Sequence, residues 1–149
     1  WEQGMNMWDT VNGVGLRQVY ACCRSAAPLM IETAREAMET TSTKKRTYNN
    51  NSDGDNNTNY NQSQSPPPPP PPLICLVSSF GGKSYTFNVA YGVGKAGVDR
   101  LAVDMSYQLA KFGVATTSLY PGLVRTEANL QMERDGTWDE ASGGLDLAL

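Results

Sequence analysis

Residues 73–122 read LICLVSSFGGKSYTFNVAYGVGKAGVDRLAVDMSYQLAKFGVATTSLYPG, and the order of patterns within them decides the fold. LICLVSS (73–79) is a short apolar, β-branched run between prolines and serines, the pattern of a fully buried strand. A helix is predicted from about Ala90 to Phe112, with Val98, Leu101, Ala102, Met105 and Leu109 on one apolar face. Gly113 is the expected helix stop. VATTSLY (114–120) then reads as a second buried strand that ends at Pro121-Gly122. Strand, helix and strand at these lengths imply a right-handed crossover in a parallel sheet, hence an α/β fold.

Outward from this stretch the chain changes character twice. Between Trp8 and Met38, Val11, Val14, Val19, Ala26, Leu29 and Met30 recur at three- and four-residue steps, which predicts helices with a break near Pro28. Residues 39–65 carry almost no aliphatic side chain and are expected to be disordered. Pro66–Pro72 should form an extended polyproline rod, about 22 Å long at roughly 3.1 Å per residue. Three Asn-x-Ser/Thr sequons, at Asn50, Asn56 and Asn61, are what so asparagine-rich a segment produces by chance. The expected division is therefore a helical part (1–38), an asparagine-rich and polyproline insertion (39–72), and a strand–helix–strand part (73–149). The tail after residue 128 shows little pattern beyond a short helix.

Composition removes several kinds of chemistry. There is no histidine among the 149 residues, so Ser-His and Cys-His nucleophile mechanisms lack their base. Cys22, Cys23 and Cys75 lack metal-ligand spacing and are expected to be buried thiols in a reducing, cytoplasmic compartment. A net charge of −3 without a basic tract argues against nucleic acid as a partner. No apolar run approaches the roughly 20 residues of a membrane span.

Proton chemistry therefore falls to other groups, and Tyr91-Gly-Val-Gly-Lys95 is the candidate. A phosphate-binding loop of the Walker type would need glycine and Ser/Thr where the chain has Val89 and Ala96. Gly92, Gly94 and Gly97 do match Gly-x-Gly-x-x-Gly, but they follow a long loop rather than a strand. At positions i and i+4 of a helix, Tyr91 and Lys95 share one face. A cation there favours the phenolate, so the phenol can exchange a proton with a carbonyl or alcohol oxygen. Tyr107 and Lys111 have the same spacing, but only Tyr91 starts its helix after a strand-end serine, at the sheet edge where ligands of open α/β sheets gather.

The serines ending the first strand, Tyr91-x-x-x-Lys95 and the Pro121-Gly122 turn with Thr126 beyond it together resemble the short-chain dehydrogenase/reductase family. MWDTVNGVGLR (7–17), FNVAYGVGKA (87–96) and SLYPGLVRTE (118–127) extend the likeness to residues 8–38 and 73–127. The resemblance implies part of a Rossmann-like, doubly wound parallel sheet, in an oxidoreductase that uses NAD(H) or NADP(H). Its substrate would be a small carbonyl compound or alcohol. By the same resemblance Tyr91 is the general acid/base, and Lys95 binds the nicotinamide ribose and favours the phenolate. Ser79 orients the substrate carbonyl, in preference to Ser78, because Ser-x-x-Gly fits Ser79 with Gly82. Pro121, Gly122, Val124 and Thr126 line the nicotinamide.

Three departures accompany the likeness. The strand, glycine-rich turn and helix that hold the pyrophosphate in this family have no counterpart in residues 1–149, so the chain alone is expected to be inactive. The family's active-site asparagine falls at Gly15, with Asn12 about one turn away, so no proton relay through it is expected. The insertion stands where relatives have a short loop, at the sheet edge opposite the site. Its prolines, Pro66–Pro72, suit an SH3, WW or profilin-like partner. The family also suggests a homodimer. The alternative function is a non-catalytic scaffold that recruits partners through those prolines.

Overall fold

A computed structural model describes residues 4–50, 67, 69–122 and 124–137, with side chains left undescribed over 44–50. Helix α1 spans Met5–Asn12, a wide π-helical turn follows over Gly13–Gln18, and helix α2 runs Val19–Asn50. Strand β1 is Leu73–Val77 and helix α3 is Val89–Leu109, preceded by a single 3₁₀ turn at Phe80–Gly82. A second 3₁₀ turn, Ala110–Phe112, leads to strand β2, Ala115–Leu119, and helix α4, Glu127–Arg134, closes the described part.

β1 and β2 pair in parallel, Leu73 opposite Ala115 through Val77 opposite Leu119, with α3 as the crossover. This is the expected α/β arrangement, a partial Rossmann-like sheet. Gly113 ends the α3 region at φ 73°, the left-handed conformation that favours glycine. One core holds the elements together: Cys23 and Ala34 of α2, Ile74 and Leu76 of β1, Val98, Ala102 and Leu109 of α3, and Val114. Val98 is fully buried, and a valine so placed stabilises by about 1.5–3 kcal/mol over an exposed one.

Four expectations need correction. The strands are half-buried rather than fully buried. Ile74 and Leu76 face the core, while Leu73, Cys75 and Val77 alternate onto a face that no described element covers. The helical break lies at Gly13–Gln18 and not at Pro28. Gly13 and Gly15 are poor helix formers, whereas Ala27, Met30 and Ile31 pack on the core and hold the helix together across the proline.

The third correction concerns length. α2 continues to Asn50, past the expected boundary at Met38. Thr40, Thr41 and Thr43 return their hydroxyls to carbonyls one turn back, so polar residues there satisfy themselves within the helix. The rest of the segment expected to be disordered, residues 51–65, lies outside the described residues, as do Pro66 and Pro68 of the expected proline rod. Pro67 and Pro69–Pro71 are exposed, and the Pro72 carbonyl accepts from the Ala115 amide at 2.9 Å, anchoring the run to β2.

Finally, only Cys23 of the three thiols is buried; Cys22 and Cys75 are exposed. Cys22 is the next residue round the helix from Cys23, and Cys75 falls on the uncovered face of β1. Burial pushes the Cys23 thiol up, and neighbouring Cys22 adds to the shift. No helix among the described residues is long and apolar enough to cross a membrane.

Candidate active site

The parallel register brings the carboxyl ends of β1 and β2 side by side, and the segments that leave them meet at the start of α3. Ser78 still belongs to the sheet, its amide donating to the Leu119 carbonyl at 2.9 Å. Its hydroxyl, 2% exposed, donates to the Lys95 carbonyl at 3.3 Å and so serves the packing of α3. Ser79 points the other way. Its Oγ caps the 3₁₀ turn by accepting the Gly81 amide at 3.0 Å, and it accepts the Tyr91 hydroxyl at 2.8 Å.

Tyr91 is set by the helix start. The Asn88 side chain caps α3 by accepting the Tyr91 amide at 2.9 Å. Just before it Phe87 adopts φ 60°, a strained value for a residue with a side chain. That conformation turns its ring edge-on to Tyr91, with centroids 5.1 Å apart at 88°. One turn along, the Lys95 Nζ stands 5.6 Å from the centre of the Tyr91 ring and 3.5 Å from the Val77 carbonyl. Among the described residues no carboxylate pairs with it. The ammonium thus retains donors for an outside acceptor.

Ser79, Tyr91 and Lys95 are therefore brought together. Pro121, Gly122, Val124 and Thr126 follow the neighbouring strand end and are exposed, with Gly122 at φ 73°. Thr126 also caps α4, its Oγ1 accepting the Asn129 amide at 3.2 Å. Tyr107, the other tyrosine with a lysine four residues on, is 79% exposed at the far end of α3. Among the described residues no group of three Cys, Asp or Glu side chains is placed to hold a metal.

One contact was not foreseen. Asn12, about one turn from the position where the family's asparagine would fall, is buried at the end of α1, and its Nδ2 donates to the Ala90 carbonyl at 3.2 Å. A Cβ on Gly94 would lie 2.2 Å from Asn12 Oδ1, so the glycine between Tyr91 and Lys95 makes room for the asparagine. The sequence signal was a polar residue between Val11 and Val14 on a helix that must pack, with the glycines of Tyr91-Gly-Val-Gly-Lys95 offering room for it. A cleft of about 670 Å³ between α1 and α3 is lined by Trp8, Leu16, Arg17 and Leu101 among others, and by none of Ser79, Tyr91 or Lys95.

Known proteins resemble this chain in sequence. A family profile described as short chain dehydrogenase matches residues 72–136, which include both strands, α3 and α4. Dehydrogenase/reductase SDR family member 1 of Mus musculus is 37% identical over 127 residues, 85% of this chain and 29% of that protein. The Homo sapiens protein of the same name is 35% identical over the same shares. The chain thus spans less than a third of the length of these relatives. With the profile covering the sheet and its crossover, and two relatives 35–37% identical along 85% of the chain, the chain belongs to the short-chain dehydrogenase/reductase family.

Proposed function

We propose that the chain forms the proton-donating side of an NAD(H)- or NADP(H)-dependent oxidoreductase that interconverts a carbonyl compound and an alcohol. The observation that carries this reading is the hydrogen bond from Tyr91 to Ser79 with Lys95 alongside. Both acceptor sites of the Ser79 oxygen are taken, one by Tyr91 and one by the Gly81 amide, which leaves its own O–H to donate outward. A substrate oxygen seated there receives the Ser79 hydroxyl, and the Tyr91 hydroxyl turns from Ser79 toward it.

When bound, the nicotinamide supplies or accepts the hydride at the substrate carbon. As the carbonyl is reduced, Tyr91 gives its proton to the oxygen and becomes a phenolate. Lys95 stabilises that charge and uses a further N–H to hold a ribose hydroxyl. In the oxidative direction Tyr91 takes the alcohol proton. The Lys95 ammonium, without a carboxylate partner among the described residues, and the exposed Gly122 backbone suit a nicotinamide ribose, with Pro121, Val124 and Thr126 beside it. Among the described residues no strand leads directly into a glycine-rich helix start that would hold the pyrophosphate, and the chain spans 29% of its relatives, so this reading concerns the proton-donating side alone. Setting the chain into the mouse relative in place of the region it matches, then measuring nicotinamide-linked turnover, tests the reading. Cofactor binding without turnover of any carbonyl or alcohol would sink it.

A second reading uses the prolines. Pro67 and Pro69–Pro71 are exposed immediately before β1, a placement that suits an SH3, WW or profilin-like groove. Titration of such a domain with the chain tests it, and lack of binding removes it. Homodimer formation, on our reading, uses the cleft between α1 and α3, where Trp8, Leu16 and Leu101 stand beside Arg17 and Asp104.

A further inference from the structure

Asp99 continues the row Tyr91, Lys95 by one more turn of α3 and is 9% exposed. Its Oδ2 accepts the hydroxyl of Tyr120, the residue that joins β2 to Pro121-Gly122. Gly82 lies against the same oxygen: a Cβ there would sit 2.8 Å from Asp99 Oδ2 and 3.0 Å from the Ala96 amide nitrogen. The turn that starts at Ser79 is therefore laid flat on the helix where the carboxylate emerges. Three segments that leave different elements converge on one acid.

Stability does not account for an acid in this place. The other oxygen, Oδ1, is buried without a hydrogen-bond partner among the described residues. Lys83 and Arg100 line the same small cleft, yet no ion pair joins either to Asp99 among the described residues, and Arg100 is paired with Asp104 at 2.8 Å. Burying a half-satisfied carboxylate is costly, and a well-packed apolar residue would stabilise more. What the acid supplies is direction, because it fixes Tyr120 and leaves the Gly82 backbone one place to lie.

We propose that Asp99 is a positioning residue that holds the Ser79–Gly82 turn and the Tyr120–Gly122 segment in one placement relative to Tyr91 and Lys95. The inference rests on the reading of those segments as one active site. It gives Asp99 and Tyr120 a role without contact with substrate or cofactor.

Amide hydrogen exchange in the full chain tests it without any cofactor. The Gly82 and Lys83 amides bond within the Ser79 turn, and the Ser78 amide bonds Leu119 just before Tyr120, so they report on the two tethered segments. Asp99→Ala should speed exchange about tenfold or more at Ser78, Gly82 and Lys83, with the Val98 and Ala102 amides unchanged. Asp99→Asn, whose amide oxygen still accepts from Tyr120, should restore part of the protection. Tyr120→Phe should affect Ser78 alone. The wild-type chain should also keep one tyrosine un-ionised at about pH 11 that Tyr120→Phe lacks, because Asp99 pushes the Tyr120 phenol up to about 12. Faster exchange throughout the core in Asp99→Ala, or unchanged exchange at Gly82 and Lys83, would overturn the proposal. So would a wild-type titration without the late tyrosine, a measurement that needs no variant to fold. Turnover is not among these readouts, so failure of the oxidoreductase reading shows separately, in the protein joined to its mouse relative.

Discussion

The Tyr91 hydroxyl and Ser79 Oγ lie 2.8 Å apart across twelve residues of sequence, one on a helix start and the other on a turn that leaves a strand. That pairing needs the strand to end where it does. The Ser78 amide is the last to bond β2, and the next residue is free to turn its hydroxyl toward the helix. Adjacent serines thus divide two tasks, Ser78 bonding the Lys95 carbonyl and Ser79 the tyrosine.

Ser79→Ala removes both the acceptor for Tyr91 and the cap on the Gly81 amide. Loss of stability should be about 1 kcal/mol, the usual cost of an exchanged cap or a single hydrogen bond. Turnover in the joined protein should fall roughly 10²–10³-fold, as when one donor to a reacting oxygen is removed. Ser78→Ala should instead destabilise without changing the catalytic pH profile. Chemical denaturation paired with initial rates separates the two.

Asn12 and Gly94 should prove coupled. Gly94→Ala places a methyl group 2.2 Å from Asn12 Oδ1, and relief requires the asparagine or α1 to move. The substitution should destabilise by about 1–3 kcal/mol. In an Asn12→Ala background the obstructing oxygen is gone, so most of that cost should disappear. A double-mutant cycle by urea unfolding measures the coupling; additive effects would contradict the close approach.

Much of this arrangement was legible beforehand because it is local. LICLVSS, Tyr91-x-x-x-Lys95 and Gly113 each carry their structural reason within a few residues. What escaped depends on partners distant in sequence. Asn12 reaches Ala90 across 78 residues, and Tyr120 reaches Asp99 across 21. The half-exposed strands escaped for a related reason, since an apolar run does not say whether both faces are covered. α2 outran its expected end because composition judged its threonines as loop formers, while each bonds back along the helix.

Stability should depend on alkaline pH through Tyr120. Its folded phenol is raised to about 12 by the hydrogen bond to Asp99, then by burial and the carboxylate charge, against an ordinary value of 10.0. A raised value means that the fold prefers the neutral phenol. Its contribution is therefore fully present below about pH 10 and lost as pH rises through about 12. Wild type should lose stability in that window relative to Tyr120→Phe, which has no proton to lose there. Denaturation midpoints between pH 8 and 12 (a range chosen around the ordinary value) would show the two curves converging.

Self-association should be sensitive to the cleft between α1 and α3. Leu101 is partly buried on the core side and also lines that cleft. Leu101→Asp therefore risks the fold, and Arg17→Glu is the cleaner change, since it reverses a charge at the cleft rim without touching the core. Sedimentation equilibrium should show weaker association for Arg17→Glu, while circular dichroism stays unchanged. An unaltered association constant would place the contact elsewhere.

The role of Tyr91 is tested most directly by nicotinamide-linked turnover in the mouse relative carrying this chain in place of the region it matches. Tyr91→Phe should lower the rate roughly 10²–10⁴-fold, the usual contribution of a positioned acid or base. Tyr107→Phe, which removes the exposed tyrosine of the same spacing, should leave the rate unchanged. Turnover that survives Tyr91→Phe, or falls equally with Tyr107→Phe, would contradict the assignment of the proton to Tyr91.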